Sequence, residues 1–196
     1  FATRWLVPRL ARFRALHPEI VVNLESRTRP FLFADTDFDA ALYAGTPADI
    51  ANWPAVVAIA LMPEIVVPVC SPAMVAPRRR VTPRQLAALP LLQQATRPYA
   101  WRQWFEAQGV TGVRDLEGPR FDLFSMLAVA AARGMGAALM PTMLVEAELA
   151  RGELVVPCDR PLHGGRSYHL VVPERRAGNP ALARFGDWLI QAAAAG

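Results

Sequence analysis

The chain contains no lysine, so all 21 of its basic residues are arginine. It has only two cysteines, Cys70 and Cys158, far apart and without CxxC or Cys/His spacing. That excludes a disulfide framework and a zinc site, and both thiols read as small core hydrophobes. The three histidines, His17, His163 and His169, are scattered without ligand spacing, so no metal and no cofactor is expected. Long apolar runs are also missing. The longest is 55–62, closed by Pro54 and Pro63, whereas a membrane span needs about 18 apolar residues. The start at Phe1 lacks the basic, apolar and small-residue pattern of a secretion signal, which by itself says little about the compartment. Ser71 has no GxSxG elbow and no paired carboxylates form a motif, so catalysis is not expected. Gly134-Met-Gly136 lacks the rest of a phosphate loop and reads as a helix terminator.

What is present suits a globular α/β protein. Hydrophobic residues make up 53% and charged residues 19% of 196, enough for a substantial core in one domain or two compact lobes. Basic residues exceed acidic ones by four, too few and too dispersed for a nucleic-acid surface. The densest cluster, Arg78-Arg79-Arg80, reads as a solvated loop between Pro77 and Pro83.

Periodicity predicts helices over 4–16, weakly over 31–34, then from Pro83 behind the cap Thr82, and over 101–108 and 124–133. Two more start at Pro141 and at Asn179-Pro180, the last burying Leu182, Phe185 and Leu189. Strands are predicted at 20–25, 39–43, 54–63, 64–70, 91–94, 137–140, 153–157 and 168–172, with 120–122 leading into a helix. The alternation argues for parallel α/β sheets.

The order of motifs resembles the effector-binding domain of LysR-type transcriptional regulators over nearly the whole chain. The motifs are Trp5-Leu-Val-Pro-Arg-Leu-Ala-Arg-Phe13, His17-Pro-Glu-Ile20, Phe38-Asp-Ala-Ala-Leu-Tyr-Ala-Gly45 and Pro68-Val-Cys-Ser-Pro72. They continue with Gly134-Met-Gly-Ala-Ala-Leu-Met-Pro141, Gly152-Glu-Leu154 and Phe185-Gly-Asp-Trp-Leu189. Leu91-Leu92 with Trp101-Arg-Gln-Trp-Phe105 is similar to the glycine-cleavage-activator and β-lactamase-regulator branch. The resemblance implies two Rossmann-like lobes of the type 2 periplasmic-binding-protein kind with two crossover strands. These would be 1–71 plus 168–196 and 72–167, with the family's winged helix-turn-helix and first strand outside this chain.

It also implies a small effector, a carboxylate or amino-acid-like molecule, held in the interlobe cleft where strand ends and helix starts meet. The candidate contacts are Phe1, Ala2 and Thr3 at the first helix, and Ser26, Arg27 and Thr28 after the 20–25 strand. Tyr43, Ala44, Gln93 and Gln94 end strands, and Trp101, Phe121 and Asp122 complete the set. Three of them have a plain alternative: Arg27 as a solvated arginine, Trp101 as core, Asp122 as a helix cap. Family dimers pair a helix of one lobe with a helix of the other, which nominates Leu6, Leu10, Phe13, Leu127 and Ala131 as the seam and a homodimer, tetrameric at full length, as the assembly. DNA would be met only through the missing N-terminal domain, and no membrane is involved. The alternative is a periplasmic solute-binding protein serving a transporter, distinguished by a secretion signal upstream of Phe1.

Overall fold

A computed structural model describes residues 1–76 and 80–195, so Arg78 and Arg79 of the arginine cluster lie outside the described residues. The chain divides into two compact units. Unit 1 comprises Phe1–Trp5 and Ile65–Gly164, and unit 2 comprises Leu6–Glu64 and Gly165–Gly196. The fold is α/β. Its strands are β1 Ala41–Gly45, β2 Val56–Val69, β3 Leu91–Gln94, β4 Arg120–Phe121, β5 Ala137–Pro141 and β6 Leu162–Pro173. Its helices are α1 Val7–Leu16, α2 Pro47–Ala51, α3 Pro83–Leu86, α4 Ala100–Ala107, α5 Phe124–Ala132, α6 Glu146–Ala150 and α7 Pro180–Ala194. The chain passes between units after Trp5, within β2 and again within β6.

In unit 1 the strand order is β2-β5-β3-β4. β3 lies parallel to β5 and to β4, and β5 runs antiparallel to the end of β2, with Val66 opposite Pro141 and Val69 opposite Ala138. β3 and β5 are buried along their whole length, as a parallel strand covered on both faces must be. Against them packs an aromatic core of Trp101, Trp104 and Phe105 from α4, with Leu86, Leu91, Leu139 and both cysteines. The Trp101 and Trp104 indole N–H groups donate to the carbonyls of Leu92 (3.0 Å) and Arg160 (2.8 Å), which lets both rings be buried at little polar cost. Trp101 stacks on Phe105 with centroids 5.5 Å apart. Thr82 caps α3 in a complete capping box with Gln85.

In unit 2 the order is β1-β6-β2, with β1 antiparallel to β6 from Ala41–Val171 to Gly45–Ser167. α1 and α7 pack on each other through Phe13, Phe185 and Trp188, whose centroids lie 5.1 to 5.7 Å apart. Asn179 caps α7 through its side chain, and Pro180 fills the first helical position. Leu189 is fully buried, while Leu182 and Phe185 are half-buried.

Several elements differ from the sequence reading. Residues 20–25 form no strand: apart from half-buried Ile20 and Val22 they are exposed, and no described strand runs alongside to complete a ladder. The two strands read at 54–63 and 64–70 are one, β2, because Pro63 lacks only its N–H and its fixed φ is compatible with extended backbone. Residues 153–157 contribute a single bridge, Val155 to Cys70, and no strand. β6 begins six residues before the predicted 168. The first helix is regular only from Val7, preceded by a π-helical turn over Ala2–Leu6. Pro141 closes β5, and helical backbone begins at Thr142. The missed helix α2 was legible, since Thr46-Pro47-Ala48-Asp49 is a capping box with proline at the first helical position.

Candidate functional site

The nominated residues fall into two groups, one in each unit. In unit 1, Gln93 and Gln94 end β3 and are almost wholly buried, at 1% and 6% exposure. A buried amide must find partners, and both do. Gln93 Nε2 donates to the carbonyls of Asp115 (3.2 Å) and Glu117 (2.7 Å). Gln94 Nε2 donates to the Asp122 carbonyl at 3.2 Å, and its Oε1 accepts from the Thr96 backbone at 2.9 Å. The Ala95 N–H donates to the Phe121 carbonyl at 2.9 Å. Gln94, Phe121 and Asp122 are thus drawn together where β3 and β4 end.

The Asp122 side chain is exposed and does not cap α5, whose N-cap is Leu123. Trp101 is enclosed in the unit 1 core. Phe1 stacks on Trp5 at 4.8 Å, and its carbonyl accepts the backbone N–H groups of Arg4 and Trp5. Ala2 and Thr3 lie on the same π-helical turn, Ala2 half-buried and Thr3 exposed.

That turn is anchored by a contact the sequence reading missed. Arg4 Nη1 donates to Glu148 Oε1 at 2.6 Å and to the Leu144 carbonyl at 3.0 Å. Both side chains are largely buried, at 16% and 13% exposure.

In unit 2, Ser26, Arg27 and Thr28 are exposed. Arg27 Nε donates to Glu25 Oε1 at 2.6 Å, and its guanidinium carbon stands 4.9 Å from the Phe38 ring centroid and 5.9 Å from that of Phe31. Tyr43 and Ala44 lie on β1 opposite His169 and Tyr168. The Ala44 carbonyl accepts Arg166 Nη2 at 3.0 Å, and Tyr43 meets Trp53 edge to face at 5.4 Å.

The Tyr43–Trp53 contact opens onto a second feature the sequence reading missed, a cluster of Phe31, Phe33, Phe38, Tyr43 and Trp53. Every ring in it has a neighbour within 5.4 Å. Five aromatic residues within 23 positions was the available signal. The backbone carrying two of them is pinned by Arg175, whose guanidinium donates to the carbonyls of Phe33 and Thr36 at 3.0 Å. A third missed residue is Arg166, which also faces Asp49 at 3.5 Å and buried Glu64 at 4.0 Å.

The nominated seam residues are placed differently from one another. Leu6, Phe13, Leu127 and Ala131 are buried at 1% exposure or less, and Leu10 is half-buried. On α5 the outward apolar side chain nearest its start is Met126 at 51%, followed by Val129 at 56%. Neither cysteine is poised for redox chemistry: both are buried, and burial pushes the Cys70 thiol up to about 11. Among the described residues no helix is long and apolar enough to cross a membrane.

Comparison with known proteins gives these features a context. The LysR substrate binding domain matches residues 1–194. The glycine cleavage system transcriptional activator of Escherichia coli (strain K12) is 32% identical over 196 residues, covering 100% of this chain and 63% of the relative. The HTH-type transcriptional activator AmpR of Rhodobacter capsulatus is 33% identical over 189 residues, 96% of this chain and 62% of its own length. Among solved structures, the effector domain of the transcriptional regulator AmpR of Pseudomonas aeruginosa matches with a TM-score of 0.85 at 28% identity, covering 99% of this chain and 91% of that one. The chain therefore spans somewhat less than two thirds of the curated relatives it matches, and those relatives are transcriptional regulators rather than enzymes. With the family match running almost from end to end and the fold shared with effector domains, this chain belongs to the LysR substrate-binding domain family.

Proposed function

We propose that this chain is the ligand-sensing part of a LysR-type transcriptional regulator, taking up a small carboxylate or amino-acid-like effector and passing its state on through contacts between copies. The match over residues 1–194 carries this reading, because it spans both units. The candidate effector contacts are Phe1, Ala2, Thr3, Gln93, Gln94, Trp101, Phe121 and Asp122 in one unit and Ser26, Arg27, Thr28, Tyr43 and Ala44 in the other. An effector shifts such a protein only by as much as it binds one arrangement better than the other. The lobes would be 1–71 with 168–196 and 72–167, and the protein would work in the cytoplasm.

The copies would associate as a homodimer through α1 of one chain and α5 of another. Support for α5 comes from its sequence, Phe-Ser-Met-Leu-Ala-Val-Ala-Ala-Ala, which has no charged residue. A helix apolar all round is stable in water when both faces are covered, and Leu127, Ala128, Ala130 and Ala131 cover one only. Within the seam helices it is Met126 and Val129, with Leu10 on α1, that would meet the partner.

The deciding experiment is to read the coding sequence upstream of Phe1. Some 90 codons for a helix-turn-helix, wing and linker helix, giving a product that binds DNA with an effector-dependent footprint, are expected. A secretion signal ending shortly before Phe1 would overturn the regulator reading in favour of a transporter's solute-binding protein.

A further inference from the structure

Tyr43 apart, the aromatic cluster of unit 2 has no role in the reading above, and three observations on it converge. First, its rings are more than a unit needs for its core. The core of unit 2 around α1, α7 and β6 is closed by Phe13, Trp188, Leu170, Val171 and Leu189, while Phe31, Phe38, Tyr43 and Trp53 each keep part of their surface in water. Half-covered rings set edge to face offer flat apolar area at low entropic cost.

Second, a cation already stands over this surface. Arg27 lies across Phe38 and Phe31, yet its only described hydrogen-bond partner is Glu25, an exposed carboxylate two residues away. Glu25 and Arg27 side chains are 53% and 44% exposed, so the pair is weak and water competes for it. The two Nη groups of Arg27 make no hydrogen bond to any described residue, which leaves one edge of the planar fork open to an incoming carboxylate. Third, the Trp53 indole N–H is buried against the cluster with no acceptor among the described residues. Buried donors are nearly always satisfied, and a ligand oxygen is one way to satisfy this one.

The backbone under the rings is held in advance. Arg175 fixes the carbonyls of Phe33 and Thr36, and Tyr43 is fixed in β1. We infer that the effector is an aromatic carboxylate, its carboxylate on the open fork of Arg27 and its ring against Phe31 and Phe38. The inference rests on the effector-sensing reading above and narrows it to one chemical class. Glu25, bonded to Nε, does not occupy that edge.

Phenylacetate and indole-3-acetate, titrated calorimetrically into the 196-residue chain beside acetate and propionate, test this. Both aromatic acids are expected to bind at least tenfold tighter than either aliphatic acid. Arg27→Gln is expected to weaken the aromatic acids tenfold or more, with an unchanged melting temperature because the side chain is exposed. Phe38→Leu is expected to weaken them at least threefold while leaving acetate unaffected. An independent readout needs no altered binding residue: in a 15N spectrum, the Trp53 indole resonance (assigned by its loss in Trp53→Phe) and the Arg27 Nε–H must both move with phenylacetate.

Aliphatic acids binding as tightly as aromatic ones, with Phe38→Leu indifferent, would refute the aromatic class while leaving a carboxylate sensor standing. Binding untouched by Arg27→Gln, with the Arg27 and Trp53 resonances unmoved, would refute this surface as the site. Failure of all four acids would overturn the inference, and the upstream coding sequence would then judge the sensor reading separately.

Discussion

Removing one partner of the Arg4–Glu148 pair should cost unit 1 far more than removing both. The two side chains are 16% and 13% exposed and meet at 2.6 Å, with a second bond from Arg4 Nη1 to the Leu144 carbonyl. At an effective dielectric of about 20, charges roughly 4 Å apart attract by about 4 kcal/mol, and desolvating both offsets most of that. Arg4→Met keeps the apolar stem and deletes the charge. Glu148 is then left enclosed with only Arg151 among the described residues within reach, at 4.0 Å. The expected loss is about 2–4 kcal/mol. Glu148→Leu leaves the enclosed Arg4 charge with only the Leu144 carbonyl among the described residues and should also cost about 2–4 kcal/mol. The double variant Arg4→Met/Glu148→Leu leaves no orphaned charge and should lie within ~1 kcal/mol of the parent, giving a coupling energy of at least ~2 kcal/mol. Urea unfolding of the four proteins supplies the cycle. Amide exchange at Trp5 and Leu6 reports locally, since Arg4 anchors the π-helical turn on which they lie. Additive losses, or Arg4→Met costing under ~0.5 kcal/mol, would refute the claim that this pair is an enclosed charge couple rather than a surface contact.

Gly118 has φ +113°, and a Cβ there would come within 1.9 Å of the Leu91 carbonyl, so Gly118→Ala should destabilise by more than ~2 kcal/mol. Gly112→Ala, at φ +70° with nothing within 4 Å of the added carbon, should cost only about 1 kcal/mol; thermal melts that reverse this order would refute the steric argument. Burial raises Cys70 to about 11, above the unfolded value of about 8.5, so the folded state holds that proton more tightly. Its contribution, up to about 3 kcal/mol, is therefore complete below pH 8.5 and is lost as the pH rises through 11. Ellman's reagent should leave Cys70 unmodified in the folded chain at pH 8, and rapid modification would show the thiol to be accessible. Val129→Asp should convert a dimer to monomers by size-exclusion chromatography without lowering the melting temperature, because the side chain is 56% exposed. An unchanged dimer would remove α5 from the seam.

The elements that the sequence predicts well are those whose signals are local. Thr82-Pro83 and Asn179-Pro180 each cap a helix with the side chain the pattern names, and 91–94 and 137–140 are strands within a residue of their predicted ends. The failures concern pairing. The valines and isoleucine of 20–25 favour extended backbone, but a strand exists only beside another, and no described strand lies there. Conversely, Pro63 carries the same local breaking signal as Pro54, yet β2 runs through it because the pairing on either side of it is kept.

The candidate site divides along the same line. Spacing identified which helices carry apolar faces, but which face turns inward depends on what the rest of the chain covers. Leu127 and Ala131 fit a seam by pattern and are core by packing, while Met126 and Val129, one and two positions from them, stand in water. The sequence nominates Arg27 for its place after the predicted 20–25 strand. Among the described residues it stands over two rings, Phe31 and Phe38, separated by seven positions and brought to the same place only by the folded backbone, tied down by Arg175. A residue type is readable from sequence, whereas its selectivity lies in neighbours contributed by other segments; the aromatic floor under Arg27 is therefore the part of the site whose removal by Phe38→Leu should change which acid binds rather than whether one does.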